Sequence, residues 1–375
     1  MKKKVAFYIE SMIVGGAEKV LIDLVNHLDP TQFEVWVIAM FKKSVYSNYE
    51  FQFSEQFNVN INYTFLIDNS NQWKYKAFNF LFNKVNKKWL YSFLVKEKFD
   101  VEVAFYEGLP TLFVGHSVQN SQKIAWLHTL QNRLYEKFSE AELQQTFKVY
   151  TQFNKIIGVS ESVCTSFVNF FPQRDAVCCY NPINEKKILE QAYAEEAKHI
   201  NKNILSFVAV GRLIEIKGFE RLIDVFYKIK NRGYHFQLNI IGDGDLKSAL
   251  QEKINTLQLN NEVQLLGFKN NPYPYIASAN ALICSSFQEG LNTAVIEALI
   301  LNTPVISTDC GGMEEIIENG SNGMICENNE ESLLDAVLKV CENPSLLENF
   351  NLFLKNNTFK FSLKETIQEI EKQLI

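Results

Sequence analysis

At 375 residues the chain exceeds what one hydrophobic core usually serves, so two domains are expected. Hydrophobic residues at 47% and charged residues at 21% are those of an ordinary globular protein and exclude a disordered or fibrous chain. A net charge of −6, with the acidity concentrated after Tyr180, disfavours nucleic acid as a partner. Seven cysteines, scattered except for Cys178-Cys179 and without a CxxC pair, suggest neither a zinc site nor a disulfide framework and fit a reducing compartment.

Lys4 to Ile9 reads as a buried parallel strand, and its apolar run stops at Glu10, too early for a signal-peptide core. The loop Ser11 to Gly16 opens a helix from Ala17 to Leu28. Gly15-Gly16 allows close backbone approach to a ligand, although a tight turn alone would also use two glycines. Further strands are expected at Phe33–Ala39, Asn58–Leu66, Asp100–Phe105, Ile124–Leu127, Lys155–Val159 and Ala176–Tyr180. His128 follows the Ile124–Leu127 strand, at the edge where open α/β sheets bind ligands. Trp73 to Phe99 interleaves seven lysines with aromatics and carries only Glu97 against them. Such a stretch suits an anionic membrane surface, and it equally suits two helices packed on the sheet with a solvated lysine face. No stretch approaches the length of a membrane span.

Pro182 in Asn181-Pro182-Ile183 forbids continuation of strand or helix and marks a boundary, with the charged segment Asn184–Lys202 at the junction. Ile204 to Val210 opens a second series of strands. Gly211-Arg212-Leu213 through Lys217-Gly218 follows, placing two cations just before a helix, where they could hold a diphosphate. Gln237–Ile241 ends in Gly242-Asp243-Gly244-Asp245, read as a turn and not as a metal site. Val263–Leu266 leads to Gly267-Phe268-Lys269, and Pro272–Ala279 is a short helix. The buried run Ala281–Cys284 precedes Glu289, and the helix from Asn292 carries Glu297. Amides of Gly290, Leu291, Asn292 and Thr293 at that helix start form a ready anion site. Pro304–Thr308, the Gly311-Gly312 turn and three terminal helices complete the chain.

The Glu289/Glu297 pair in E-x7-E spacing, the GRL…KG element and the Gly15-Gly16-Ala17-Glu18 loop together resemble retaining glycosyltransferases of family 4. The resemblance runs over essentially the whole chain, is dense from 204 to 316, sparser at 11–20 and 124–128, and thin from about 40 to 120. It implies an α/β chain of GT-B architecture, with two Rossmann-like doubly wound domains facing across a cleft. Residues 1–181 would bind the acceptor and 182–359 the nucleotide-sugar donor, with the helix at about 360–375 returning to the first domain. Domain closure about Asn181-Pro182 is expected.

By the same resemblance Glu289, His128, Arg212 and Lys217 are the catalytic residues. Arg212 and Lys217 would clamp the diphosphate with the Gly290–Thr293 amides and Gly16, and Glu297 would hold the ribose hydroxyls. Gly211 and Gly242 would line the donor, Phe268 would lie against the base, and Glu289 with His128 would position the transferred sugar. Whether Glu289 is nucleophile or electrostatic stabiliser stays open. No metal and no cofactor are implied. The expected donor is a UDP-sugar first and a GDP-sugar second, and the expected acceptor is a glycan or polyprenyl-linked saccharide of bacterial surface polysaccharide synthesis. The chain would be cytoplasmic, at the inner face of the membrane if 73–98 touches lipid. A GT-B sugar-nucleotide epimerase and a non-catalytic partner subunit are the alternatives, and the absent G-x-G-x-x-G disfavours a dehydrogenase.

Overall fold

Parallel strands buried on both faces read as near-continuous apolar runs, and such runs, together with partly exposed edge strands, form two sheets among the described residues. In a computed structural model of the chain, residues 1–12, 15–42, 56–69, 72–194, 204–357 and 362–375 are described. Ile13, Val14 and 195–202, together with the Trp73 side chain, lie outside the described set. The first sheet comprises β1 (Lys3–Ile9), β2 (Phe33–Phe41), β3 (Asn62–Ile67), β4 (Val101–Ala104), β5 (Gln122–Leu127), β6 (Lys155–Gly158) and β7 (Val177–Cys178). Its order is β3-β2-β1-β4-β5-β6-β7, parallel throughout. The second comprises β8 (Leu205–Val210), β9 (Phe236–Ile241), β10 (Val263–Gly267), β11 (Ala281–Cys284), β12 (Val305–Thr308) and β13 (Gly323–Cys326). Its order is β10-β9-β8-β11-β12-β13, again parallel.

The chain divides into Met1–Ile183 with Leu363–Ile375, and Asn184–Ser362. Each unit is a doubly wound sheet whose strand order reverses once, between β1 and β4 and between β8 and β11. Carboxyl ends of strands at such a reversal are where ligands bind in this class of sheet.

Two differences from the sequence reading have local causes. β3 begins at Asn62, not Asn58, because Asn58–Ile61 closes a turn in which the Ile61 amide donates to the Asn58 carbonyl at 2.9 Å. Cys178 lies on a two-residue edge strand and is half-buried, whereas Cys179, just past it, is buried.

The lysine-rich stretch forms the helices Gln72–Lys84 and Lys87–Leu94, the second capped by the Asn86 side chain. Phe78, Phe82, Leu90 and Tyr91 face inward, while Phe80, Trp89 and Phe93 stay exposed. The Trp89 and Phe93 rings stack at 5.5 Å, and the Lys96 ammonium sits 5.5 Å over Phe93. The stretch therefore packs with one face and presents an aromatic, basic face to solvent.

The last helix, Leu363–Leu374, belongs to the first unit, burying Ile367, Ile370 and Leu374. Glu371 accepts the Asp29 amide at 2.7 Å, and Lys155 donates to the Gln373 carbonyl at 2.9 Å.

One carboxylate sits inside the first sheet. Glu102 on β4 is fully buried and accepts hydrogen bonds from the hydroxyls of Tyr8 at 3.2 Å, Tyr91, Ser117 at 2.6 Å and Ser121. Four donors offset the cost of burying its charge. Glu102→Ala strands those hydroxyls in the core and should cost about 3–5 kcal/mol of stability by urea unfolding. A cost below about 1 kcal/mol would show that the hydroxyls re-pair without it.

Candidate active site

The second unit builds its site from loops that leave β8 and β11. Chain leaving β8 passes Gly211 and Arg212, makes a 3₁₀ turn over Glu215–Lys217 and enters the helix Phe219–Asn231 through Gly218. Gly218 has φ +64°, and a Cβ there would lie 2.1 Å from the Ser285 carbonyl oxygen, so only glycine fits. Gly242, after β9, is similarly confined, since a Cβ would come 1.8 Å from the Gly211 carbonyl oxygen. These contacts bring the β8, β9 and β11 loops together at backbone distance.

Arg221, in the first turn of the Phe219–Asn231 helix, holds the β11 loop. Its buried guanidinium donates to the Ser285 carbonyl at 2.9 and 2.6 Å, the Ser286 carbonyl at 2.8 Å, Thr308 Oγ1 at 3.3 Å and Asn328 Oδ1 at 2.7 Å. It also lies 4.0 Å over the Phe287 ring. Asn328 in turn donates to the carbonyls of Phe287 at 2.7 Å and Asp309 at 3.0 Å. The ends of β11, β12 and β13 are thereby tied to one cation.

On this frame the Lys217 ammonium meets Glu289 Oε1 at 2.7 Å. The same oxygen accepts from Ser286 Oγ at 2.5 Å and Asn292 Nδ2 at 3.1 Å, and the Glu289 amide donates to the Cys310 carbonyl at 2.6 Å. Burial pulls the Lys217 pKa down, but the adjacent Glu289 carboxylate outweighs it and the net shift is upward, so the ammonium stays charged. Sequence reading gives Lys217 and Glu289 separate duties; the structure makes them an ion pair.

Asn292 caps the helix Thr293–Ile300, its Oδ1 accepting from Ala294 at 3.0 Å and Val295 at 3.3 Å. Those two amides are thus spoken for, while those of Leu291, Asn292 and Thr293 make no hydrogen bond among the described residues. Gly290 precedes them in the same loop. Glu297 is buried in the second turn of this helix and accepts the Tyr273 hydroxyl at 3.1 Å. Arg212 is exposed at the end of β8, near enough to Lys217 to lower that ammonium's pKa slightly. Phe268 is half-buried just after β10. Asp243 accepts its neighbour Gly244's amide at 2.8 Å and pairs with Lys247 at 3.0 Å.

In the first unit Gly16 is the first residue of the helix Gly16–His27. His128, just past β5, lies with its ring 5.4 Å from Tyr106, nearly parallel, and edge-on to Phe105 at 4.7 Å.

Residues 192–355, which hold the Lys217–Glu289 pair and the capped helix, match the family described as "Glycosyl transferases group 1". That segment belongs to the family, and the chain is a glycosyltransferase. It is 42% identical over 133 residues to an uncharacterized glycosyltransferase of Methanocaldococcus jannaschii, a stretch covering 35% of this chain and 33% of that relative. Over the full length of both chains it is 28% identical to the N-acetylgalactosamine-N,N'-diacetylbacillosaminyl-diphospho-undecaprenol 4-alpha-N-acetylgalactosaminyltransferase of Campylobacter jejuni. The structure superposes on Anabaena HepE, crystallised with UDP and glucose, at a TM-score of 0.74 and 17% identity over 99% of both chains. The GT-B fold expected from the motifs is therefore the fold observed.

In this glycosyltransferase the motifs pointed to Lys217, Glu289, Glu297 and the helix start, but not to several residues that hold them. Arg221 and Tyr273 have no local signal, because their partners lie 64–107 and 24 residues away, while Ser286 stands three residues before Glu289 and could have been read with it. Glu107 could have been found. It follows β4 as His128 follows β5, at the same sheet edge. Its Oε1 accepts from the amides of His128 at 2.8 Å and Thr129 at 2.7 Å and from Gln131 Nε2 at 3.3 Å. Burial nonetheless raises its pKa from 4.5 to about 7, those hydrogen bonds only partly opposing the shift. Burial also lowers His128 to about 3, which keeps its imidazole neutral.

The Glu107 shift has a sign that can be checked. From pH 4.5 to about 7 the unfolded chain has released this proton while the fold retains it, so stability falls through that window as pH rises. Glu107→Gln removes the slope and should gain about 3 kcal/mol on the wild type between the low and high ends of that window. Urea unfolding of both proteins across the window reads this directly. Parallel stability curves would mean that Glu107 titrates in the fold as it does in the unfolded chain.

Proposed function

We propose that the chain is a retaining glycosyltransferase that moves a sugar from a nucleotide-diphosphate donor, UDP-linked first and GDP-linked second, to a hydroxyl of a glycan or lipid-linked saccharide in bacterial surface polysaccharide synthesis. The Lys217 ammonium, fixed on Glu289 beside the start of the Thr293–Ile300 helix, carries this reading. A charged ammonium, the unpaired amides of that helix start and the exposed Arg212 guanidinium make one anion-binding corner at the sheet's reversal point. A diphosphate there would be held as it leaves, and its developing charge would be stabilised without a metal or cofactor. Gly16, Gly211 and Gly242 let backbone approach the donor, Phe268 lies against the base, and Glu297 accepts from the ribose cis-diol.

In the transfer, the bond from the anomeric carbon to the diphosphate oxygen breaks and the acceptor oxygen bonds to the same face of that carbon. The acceptor proton passes to the departing phosphate, so no enzyme base is required. Diphosphate binding would draw Lys217 from Glu289 and free that carboxylate to stabilise positive charge on the sugar, with His128 on its hydroxyls. The acceptor assignment draws on the Campylobacter relative, whose name places its substrate on diphospho-undecaprenol. The nucleotide assignment draws on HepE, crystallised with UDP. Calorimetric titration with UDP and with GDP should find one that binds, with Lys217→Ala and Glu297→Ala each weakening it at least tenfold. Binding unchanged in both variants would overturn the donor site.

A lipid-linked acceptor calls for a place at the inner membrane face. The exposed face of the helices at 72–94 supplies one, with Trp89 and Phe93 to enter the interface and Lys76, Lys84, Lys88 and Lys96 to meet anionic headgroups. No described helix is long and apolar enough to cross a membrane. Sedimentation with vesicles containing phosphatidylglycerol should retain the protein, and the Lys88→Glu/Lys96→Glu double variant should reduce binding about tenfold. Equal retention of both proteins, or equal binding to uncharged phosphatidylcholine, would rule this face out.

A further inference from the structure

Two buried thiols stand side by side behind the anion-binding corner. Cys284 closes β11 and Cys310 follows β12, the neighbouring strand, and their sulfurs lie 4.0 Å apart. Both residues are buried, and no disulfide joins them. They differ from ordinary core cysteines in what surrounds them. Asn292 Nδ2 donates to Cys284 Sγ at 3.3 Å and to Glu289 Oε1 at 3.1 Å, and the Cys310 carbonyl accepts the Glu289 amide at 2.6 Å. Cys284 also borders a small cavity with Lys217, Ser286 and Asn292. The Lys217 side chain is 20% exposed, so the rim of this cavity reaches solvent.

A thiol becomes a nucleophile only as its thiolate. Charge is shared unequally across this pair. The Cys310 S–H donates to the Cys284 sulfur, and that bond, with the Ser286 amide and the Lys217 ammonium, holds the Cys284 pKa below the usual thiol range despite burial and the nearby Glu289. The same hydrogen bond, together with burial, holds Cys310 well above that range. By contrast, burial pushes Cys326 and Cys341 up to about 11. The pair therefore divides into a nucleophile, Cys284, and a partner thiol in contact with it.

We propose that Cys284 and Cys310 form an oxidant-sensitive dithiol whose closure to a disulfide disables the nucleotide-diphosphate site. The oxidant is a hydroperoxide. The Cys284 thiolate attacks one peroxide oxygen, the O–O bond breaks, and the departing hydroxide takes a proton from solvent to leave as water. Cys310 then attacks the sulfenic sulfur of Cys284. The S–S bond forms, the S–O bond breaks, and the hydroxide leaves as water with the proton of Cys310. Two thiols are oxidised and one hydrogen peroxide is reduced to two waters. Bonded sulfurs are about 2 Å apart, so closure draws these two together by about 2 Å. That movement pulls Cys284 from Asn292 and shifts the Cys310 carbonyl under the Glu289 amide, two contacts that seat Glu289 against Lys217. In a reducing compartment such a bond is transient, which suits a switch and not a structural staple. The effect on nucleotide rests on the proposed donor site; the dithiol does not.

Peroxide treatment of the full chain, followed by alkylation and non-reducing peptide mapping, reads the bond directly. A Cys284–Cys310 cross-linked peptide is expected, and dithiothreitol should reverse it. Cys310→Ser should trap Cys284 as a sulfenic acid that dimedone labels, while Cys284→Ser and Cys284→Ala should form neither product. Calorimetry then uses whichever of UDP and GDP binds the untreated protein. Affinity should fall at least tenfold on oxidation, return with dithiothreitol, and stay within twofold in peroxide-treated Cys284→Ala. Peroxide that oxidises the half-buried Cys178 while leaving Cys284 and Cys310 reduced would overturn the dithiol. A cross-link that leaves nucleotide affinity unchanged would overturn the switch. If neither nucleotide binds the untreated protein, the donor site fails, and the peptide map still decides the dithiol.

Discussion

A single buried guanidinium organises the second unit. Arg221 gathers the carbonyls of Ser285 and Ser286, the Thr308 hydroxyl and the Asn328 side chain, so that loops following three strands converge on one fixed charge. A guanidinium suits this duty because its donors radiate in a rigid plane and stay charged when buried. The loop it holds carries Ser286 and Glu289, and Gly218 admits the Ser285 carbonyl at a distance no side chain would permit. With Arg221 in place, Glu289 can be presented to Lys217 with little freedom left to lose.

The two units solve one problem in different ways. Each must expose polar atoms at the carboxyl edge of a sheet whose interior is apolar. In the second unit the edge is basic and rich in backbone amides, suited to an anion. In the first unit it carries a carboxyl, a neutral imidazole and a carboxamide.

Buried carboxylates illustrate how environment separates function from support. Glu102 accepts from four hydroxyls and serves the sheet. Glu107, five residues on, accepts from three N–H groups on one oxygen and has none on the other. A carboxylate with donors on both oxygens supports the sheet, whereas one with donors on a single oxygen keeps hydrogen-bonding capacity in reserve.

What the sequence determined by itself was local in origin. Short apolar runs such as Val5–Ile9 and Ala281–Cys284 are strands because continuous hydrophobicity over so few residues suits a sheet covered on both faces, and Asn292 caps a helix because its side chain reaches amides two and three residues on. The E-x7-E spacing and the GRL…KG loop sat in strand-to-helix connections and could be placed at the sheet edge from that alone. The tertiary structure alone decided that Lys217 meets Glu289 across 72 residues, that Arg221 holds the loop between them, and that the aromatic helix pair keeps Phe78 and Tyr91 inside while leaving Trp89 and Phe93 outside. It also decided that Glu107 is buried, and with it the rise in that residue's pKa. Such pairings join chain positions far apart, and which partners meet depends on the order in which the strands are laid into the sheet, a property no short window of sequence contains.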